Sequence, residues 1–261
     1  MRTTVILNLK GGVAKTATTV NMAAILSAVY EKEVLVIDAD SQCNTTEFLG
    51  GNPLIGNLAN VLRTEDQHYG EFAVSQIQPS SLPHVDLLAG DDSLMDLDLT
   101  KVELKTVQAN VLRNMVNRLE TAMPDTYNVC LVDCPPAFNA ASAAALIAAD
   151  DVIIPIKLDA FSLRGMTCLL RQISNMKKIN PTLRLAGCLP TMYYKSPTIL
   201  AAEETLRASG IPVFSPIRRT DKVDEMTFAQ DPLIDFSPRS SAAQDYRKFV
   251  KEYIEGGYQN G

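Results

Sequence analysis

No apolar run in the 261-residue chain reaches the roughly 18 residues needed to span a bilayer. The N-terminus also has no basic stretch leading into an apolar segment and a cleavage site. These two absences predict a cytoplasmic protein. The Ala-rich segment AASAAALIAA at 140–149 is too short and too weakly apolar to span, and reads as a helix buried against a sheet. The five cysteines, Cys43, Cys130, Cys134, Cys168 and Cys188, are odd in number and contain no CxxC pair, so they read as reduced thiols. Cys130 and Cys134 have metal-like spacing only if a strand stays regular through Asp133, just before Pro135. Internal repeats and low-complexity linkers are missing too, which leaves no boundary within 1–261 and predicts a single domain.

What is present is an ordinary globular composition, 46% hydrophobic and 21% charged, enough to bury a sizeable core. The formal charge of −6 argues against a protein coated in nucleic acid, but it is unevenly spread. Residues 161–222 hold ten Lys and Arg against Glu203, Glu204 and Asp221, a surplus of +7 that leaves −13 for the rest. A basic face on an acidic body is one reading; a solvated surface with uneven sequence distribution is the other.

Short β-branched runs at 4–9, 34–38, 85–88, 128–133, 152–156, 183–189 and 211–214 alternate with helical spacing at 16–30, 102–120, 163–179 and 197–210, where Gly210 is placed to cap a helix. This alternation predicts an α/β fold with a doubly wound, mostly parallel sheet and helices on both faces. Residues 51–84 are the most irregular stretch and read as an insertion over a ligand or partner face.

The strongest chemical feature is VILNLKGGVAKTATT at 5–19, an apolar strand entering a Gly-containing loop and then a helix. Successive backbone N–H groups from Gly11 to Thr16 can face phosphate oxygens, aided by the positive end of the following helix. Lys15 would sit over the β and γ phosphates and the Thr16 hydroxyl would ligate Mg2+. Carboxylates at the ends of neighbouring strands, Asp38 and Asp40 in VLVIDADSQCNTT and Asp133 in NVCLVDCPPAF, supply what a phosphate loop lacks. The generic G-x-x-x-x-G-K-[ST] pattern is not met, because Leu9 and Ala14 occupy its glycine positions.

KGGVAKT instead resembles the deviant Walker A motif K-G-G-x-x-K-[ST] of the ParA/MinD family of P-loop ATPases, and in particular its ParA/Soj-like partition members. The resemblance covers nearly the whole chain. VLVIDADSQCNTT is similar to the family's D-x-D-P-Q-G-N-x-T segment and NVCLVDCPPAF to its D-x-P-P segment. FSLRGMTCLLRQISNMKKINPTLRLAGCLPTMY, IPVFSPIRRTDKVDEM and FSPRSSAAQDY follow collinearly. The resemblance implies ATP and Mg2+, with Lys10, Gly11, Gly12, Val13, Ala14, Lys15, Thr16 and Ala17 cradling the nucleotide and Lys10 reaching the partner subunit's phosphates. It implies Asp38, Asp133 and Thr16 near the metal, Asp40 activating the attacking water, and Met192, Pro216 and Arg218 in the adenine pocket. Lys195, Arg219 and Lys222 fall at positions implied to touch DNA backbones.

The same resemblance implies an ATP-dependent homodimer that binds duplex DNA without sequence preference, a ParB-like activator, a plasmid or chromosome as cargo, no membrane, and nucleoid association in the ATP state. The P-loop begins at residue 10, leaving no room before it for a helix-turn-helix domain. The chain departs from the family pattern at Ala14, where a left-handed backbone would cost on the order of 1 kcal/mol. Ser41 and Cys43 stand in place of Pro and Gly, which predicts a less constrained loop after Asp40. The alternative within the family is a MinD-like membrane-positioning ATPase. The ending RKFVKEYIEGGYQNG argues against it, with few large apolar residues on one face and glycines expected to break the helix. An iron-sulfur carrier of this fold would need a cysteine pair, and a bacterial tyrosine kinase a terminal tyrosine cluster; neither stands out.

Overall fold

The protein is described from a computed structural model covering residues 1–64, 69–99 and 110–257. Seven strands form one sheet: β1 (Arg2–Ile6), β2 (Val34–Asp38), β3 (Gln78–Pro79), β4 (Val85–Leu88), β5 (Val129–Asp133), β6 (Asp151–Lys157) and β7 (Arg184–Thr191). Their order is β3-β4-β2-β5-β1-β6-β7, and every pairing is parallel except β3 with β4. Strand side chains alternate between two cores, as the period of two requires. Val5, Leu35, Ile37, Cys130, Val132 and Ile154 enter one, and Ile6, Val34, Val36, Val129, Leu131 and Ile153 the other.

The first core is covered by helices Leu58–Arg63, Val111–Ala122, Ala140–Ala148 and Ala160–Met176. The second lies under α1 (Lys15–Tyr30) and helices Lys222–Ala229, Leu233–Phe236 and Ser241–Gly257. This is the doubly wound arrangement the alternation predicts. Cys130 and Cys134 are both buried, with thiols pushed up by burial, and among the described residues no cluster of His, Cys, Asp or Glu suits a metal. Likewise no described helix is long and apolar enough to cross a membrane.

Two expectations need correction. The run at 211–214 is not a strand: Val213 makes one isolated bridge to Cys188, because Pro212 has no N–H to continue a ladder. Residues 51–84 are less irregular than they read, holding helices Leu58–Arg63 and Tyr69–Ser75 and the antiparallel β3. The last helix is described through Gly257 and so includes both Gly256 and Gly257. Tyr246, Phe249, Val250 and Tyr253 on that helix are all buried, and packing of this size outweighs a glycine cost of about 1 kcal/mol. Part of the predicted helix at 102–120 lies outside the described residues; Val111–Ala122 is helical.

A buried charge ties the sheet edge to the last helix. Asp151, fully buried at the start of β6, accepts from Arg2 Nε (2.6 Å), Arg184 Nε (2.7 Å) and the Tyr253 hydroxyl (2.9 Å). Burial alone would raise its carboxyl, but the Arg2 and Arg184 bonds outweigh that and hold it below the ordinary value. A depressed carboxylate stabilises the fold at neutral pH and loses that contribution as pH falls below about 4. Asp151→Asn is expected to cost about 3 kcal/mol at pH 7, near the low end for a broken buried pair because both arginines stay partly exposed, and the deficit should shrink in denaturant titrations at acid pH.

Candidate nucleotide-binding site

The loop between β1 and α1 is anchored at both ends by side chains that reach backbone. Asn8 donates through Nδ2 to the Pro155 carbonyl (2.7 Å) and accepts the Lys10 N–H (3.0 Å), while Thr191 donates to the Val13 carbonyl (3.1 Å). Gly12 is left-handed (φ 66°) and so is Ala14 (φ 64°), which immediately precedes α1. A Cβ placed on Gly11 or Gly12 would meet nothing within 4 Å, so open space lies beside the backbone that should hold phosphate. Lys15 is buried, with its ammonium 3.4 Å from the Lys10 carbonyl. Burial pulls its pKa down, against the opposing charges of Asp133 and Asp40.

Asp38 and Asp133 are register partners at the carboxyl ends of β2 and β5, both fully buried. Asp38 Oδ2 accepts from the Thr46 N–H and hydroxyl (2.8 Å each), and Oδ1 accepts the Asp40 N–H (3.1 Å). Asp133 Oδ2 accepts from the hydroxyls of Thr16 and Thr45 (2.7 Å each). Its Oδ1 is buried with no hydrogen bond. Burial pushes both carboxyls above their ordinary range, and Asp133 adds to the shift of Asp38. An orphaned carboxylate oxygen beside a threonine hydroxyl fits Mg2+, which takes few protein ligands and completes its shell with phosphate and water. Thr16 and Asp133 would hold it, and when bound it would offset phosphate charge.

The Asp40 loop, which lacks Pro and Gly, is held by its own hydrogen bonds. Asp40 Oδ1 accepts the Gln42 N–H (3.0 Å), its carbonyl accepts the Cys43 N–H (3.0 Å), and Cys43 takes the left-handed conformation itself (φ 55°). Lys10 does not project freely. Its ammonium bonds both oxygens of Asp159 (2.9 and 2.7 Å) and the Ser162 hydroxyl (3.1 Å), at the start of Ala160–Met176. Burial would raise the Asp159 carboxyl, but Lys10 and Ser162 bring it down to about 2.

Ala14, Met192 and Arg218 line one pocket of about 300 Å3, with Thr191, Ile217 and Tyr246. Pro216 is not among its lining residues, and Arg218 is held by a two-pronged pair with Asp245 (2.8 Å each). Ala17 instead lines a neighbouring groove with Thr16 and Phe48. The Arg219 N–H bonds the Tyr193 carbonyl (2.9 Å), which brings the segment carrying Lys195 beside Arg219. The +7 of residues 161–222 overstates that surface, since Arg184, Arg218 and Lys222 pair with Asp151, Asp245 and Glu225, all outside the segment.

Several residues that shape the site have no role that the motifs imply: Thr45 falls at the variable position of D-x-D-P-Q-G-N-x-T, and Thr46 is its last fixed residue. Gly90 donates its N–H to the Thr46 hydroxyl (2.7 Å), and a Cβ there would fall 3.0 Å from the Asp38 carboxyl carbon. Asp159 could have been found as a helix N-cap, since its carboxylate accepts the Ser162 N–H (2.9 Å).

A glycine-containing loop feeding a helix, with paired carboxylates at the ends of parallel strands, defines a P-loop nucleotide-binding protein. The family described as an AAA domain matches residues 1–185. The chain is 32% identical over 261 residues to the chromosome partitioning protein ParA of Caulobacter vibrioides, covering 97% of this chain and 94% of that protein. It is 31% identical over 258 residues to the chromosome-partitioning ATPase Soj of Treponema pallidum, covering 97% of each. Cobyrinic acid a,c-diamide synthase from Mycobacterium smegmatis, solved with ADP and magnesium, superposes with a TM-score of 0.79 at 26% identity over 98% of this chain and 94% of that one. The cell division ATPase MinD of Pyrococcus furiosus shares the fold, with a TM-score of 0.73 at 21% identity over 97% and 98%. The chain belongs to the ParA/Soj family of partition ATPases.

The left-handed Ala14 yields a test. Ala14→Gly relieves roughly 1–2 kcal/mol of strain but adds up to about 1 kcal/mol of unfolded-chain entropy, so stability should hold or rise slightly. Ala14→Val, β-branched at positive φ, should lose about 2 kcal/mol or more. Chemical denaturation should rank Gly at or above Ala, and both well above Val.

Proposed function

We propose that this chain is an ATP-driven switch: it binds ATP with Mg2+, dimerises in that state, binds duplex DNA without reading sequence, and hydrolyses ATP slowly until a ParB-like partner accelerates it. The observation that carries this reading is the convergence of Lys15, Thr16 and the unsatisfied Asp133 oxygen at one end of a doubly anchored loop. A buried ammonium facing that loop suits a polyphosphate, and the hydroxyl and free carboxylate oxygen suit its cation. Asp40, at the edge of the same site, is placed to accept a proton from the attacking water. We assign the base to the pocket bounded by Ala14 and Met192.

For Lys10 to serve the opposite subunit, its bonds to Asp159 and Ser162 must open, so the ATP dimer differs from the form described here in at least that contact. Lys10→Ala should then leave ATP binding by the monomer largely intact and weaken ATP-dependent dimerisation. We propose that the protein works in the cytoplasm and associates with the nucleoid in the ATP state. The last helix spends its apolar face on the protein's own core, which favours DNA over a membrane as the surface engaged.

Lys15→Ala should weaken MgATP binding by about 2–5 kcal/mol, or roughly 30- to several-thousand-fold, in calorimetry. Asp40→Ala should bind ATP with near-parent affinity while phosphate release stops. Parent-level turnover by that variant removes Asp40 from water activation.

Duplex DNA binding should require ATP, weaken alike for all sequences, and fall steeply with salt. Arg219 is the better first target than Lys222, since Lys222 already pairs with Glu225 whereas no ion pair of Arg219 is found among the described residues. Arg219→Glu should weaken DNA binding and lower the salt slope by about one unit for each phosphate no longer neutralised, at unchanged ATP affinity. Capture of the ATP form by acidic vesicles, with DNA binding absent, would instead establish a MinD-like membrane switch.

A further inference from the structure

Nucleotide binding leaves one buried hydroxyl at the site without a role. Thr191, the last residue of β7, is 2% exposed, and its Oγ1 donates to the carbonyl of Val13, itself buried. The Val13 carbonyl and the Ala14 N–H belong to one planar trans peptide and point to opposite sides of it. Holding that carbonyl against β7 therefore fixes the direction in which the Ala14 N–H points, away from β7. This is the peptide that enters the left-handed turn, and Ala14 has a Cβ to resist that turn where glycine would not.

The residue that follows Thr191 is constrained too. Met192 is left-handed as well (φ 50°) and lines the 300 Å3 pocket together with Ala14. One short segment thus grips the phosphate loop with its first residue and lines the pocket assigned to the base with both. We propose that Thr191 is a positioning residue for nucleotide binding, locking the Val13–Ala14 peptide so that a loop built on alanine stays formed without ligand. This rests on the nucleotide reading above, which the parent protein's affinity for MgATP decides separately.

The probes are MgATP and magnesium tripolyphosphate, which has the phosphates and no base, measured by calorimetry beside the melting temperature of the ligand-free protein. Thr191→Val keeps the shape and removes the donor, and should weaken both probes in parallel, by about 5- to 10-fold, the worth of one hydrogen bond. Thr191→Ser should restore most of that affinity. In an Ala14→Gly background the loss on Thr191→Val should fall below about twofold, because glycine holds the left-handed turn without help. Weakening of MgATP with tripolyphosphate unaffected would place Thr191's action in the base pocket and overturn the proposal. So would an equal loss in the Ala14→Gly background, or a lowered melting temperature with both affinities unchanged. Should Thr191→Val not fold, Thr191→Ala carries the same comparison, with the same parallel loss expected.

Discussion

Two carboxylates held side by side in a dry environment constrain everything around them. Asp38 and Asp133 face each other in register because β2 and β5 are parallel and end together. Neither can stay ionised there without compensation, as burial disfavours the charge and the two charges repel. The fold answers with donors: Thr46 and the Asp40 N–H for Asp38, Thr16 and Thr45 for Asp133. Lys15 adds a positive charge that burial makes costly in turn. The cluster is stable enough to form and still short of one partner, at Asp133 Oδ1, and a site in that condition favours a cation.

The same end of the sheet concentrates unusual backbone. Of the non-glycine residues with positive φ among those described, Ala14, Cys43 and Met192 all lie beside the site. Each directly follows or lies close to a residue whose polar group anchors the loop: Val13 held by Thr191, Asp40 bonding Gln42 and Cys43, Thr191 itself. Strain of about 1 kcal/mol or more per residue persists only where surroundings determine the backbone, and here hydrogen bonds from neighbouring strands do so. A glycine in these positions would relax the turn without needing them.

Much of this was legible in the residues. The strand-loop-helix pattern at 5–19 and acids ending apolar runs located Lys15, Thr16, Asp38 and Asp133, because burial with period two and a helix start leave local marks. The stretch from Asn180 to Leu183, within the segment that follows collinearly, was legible only as resemblance; Asn180 donates to the Leu146 and Ala149 carbonyls, capping the end of Ala140–Ala148. Gly90, Asp159 and Thr191 were not legible as site residues. Each acts on a group distant in sequence, so no spacing rule could connect them. The segment at 211–214 misled for a related reason: its residue types suit a strand, but whether a ladder forms depends on a donor that Pro212 lacks.

Charge shows the same limit in another form. Summed along the sequence, 161–222 stands out as basic, yet Asp151, Asp245 and Glu225 come back to it through the fold. Arg184 serves the buried Asp151 together with Arg2, and Arg218 is occupied at the mouth of the pocket by Asp245. What remains is a smaller set, with Arg219 beside the segment that leads to Lys195 through the backbone pairing of Tyr193 with Arg218 and Arg219. That pairing continues directly from Thr191 and Met192, so the basic edge and the nucleotide pocket share one strand end. Under the proposed function, the pocket assigned to the base and the edge assigned to DNA are thus joined by backbone alone, from Met192 through Tyr193 to Arg219.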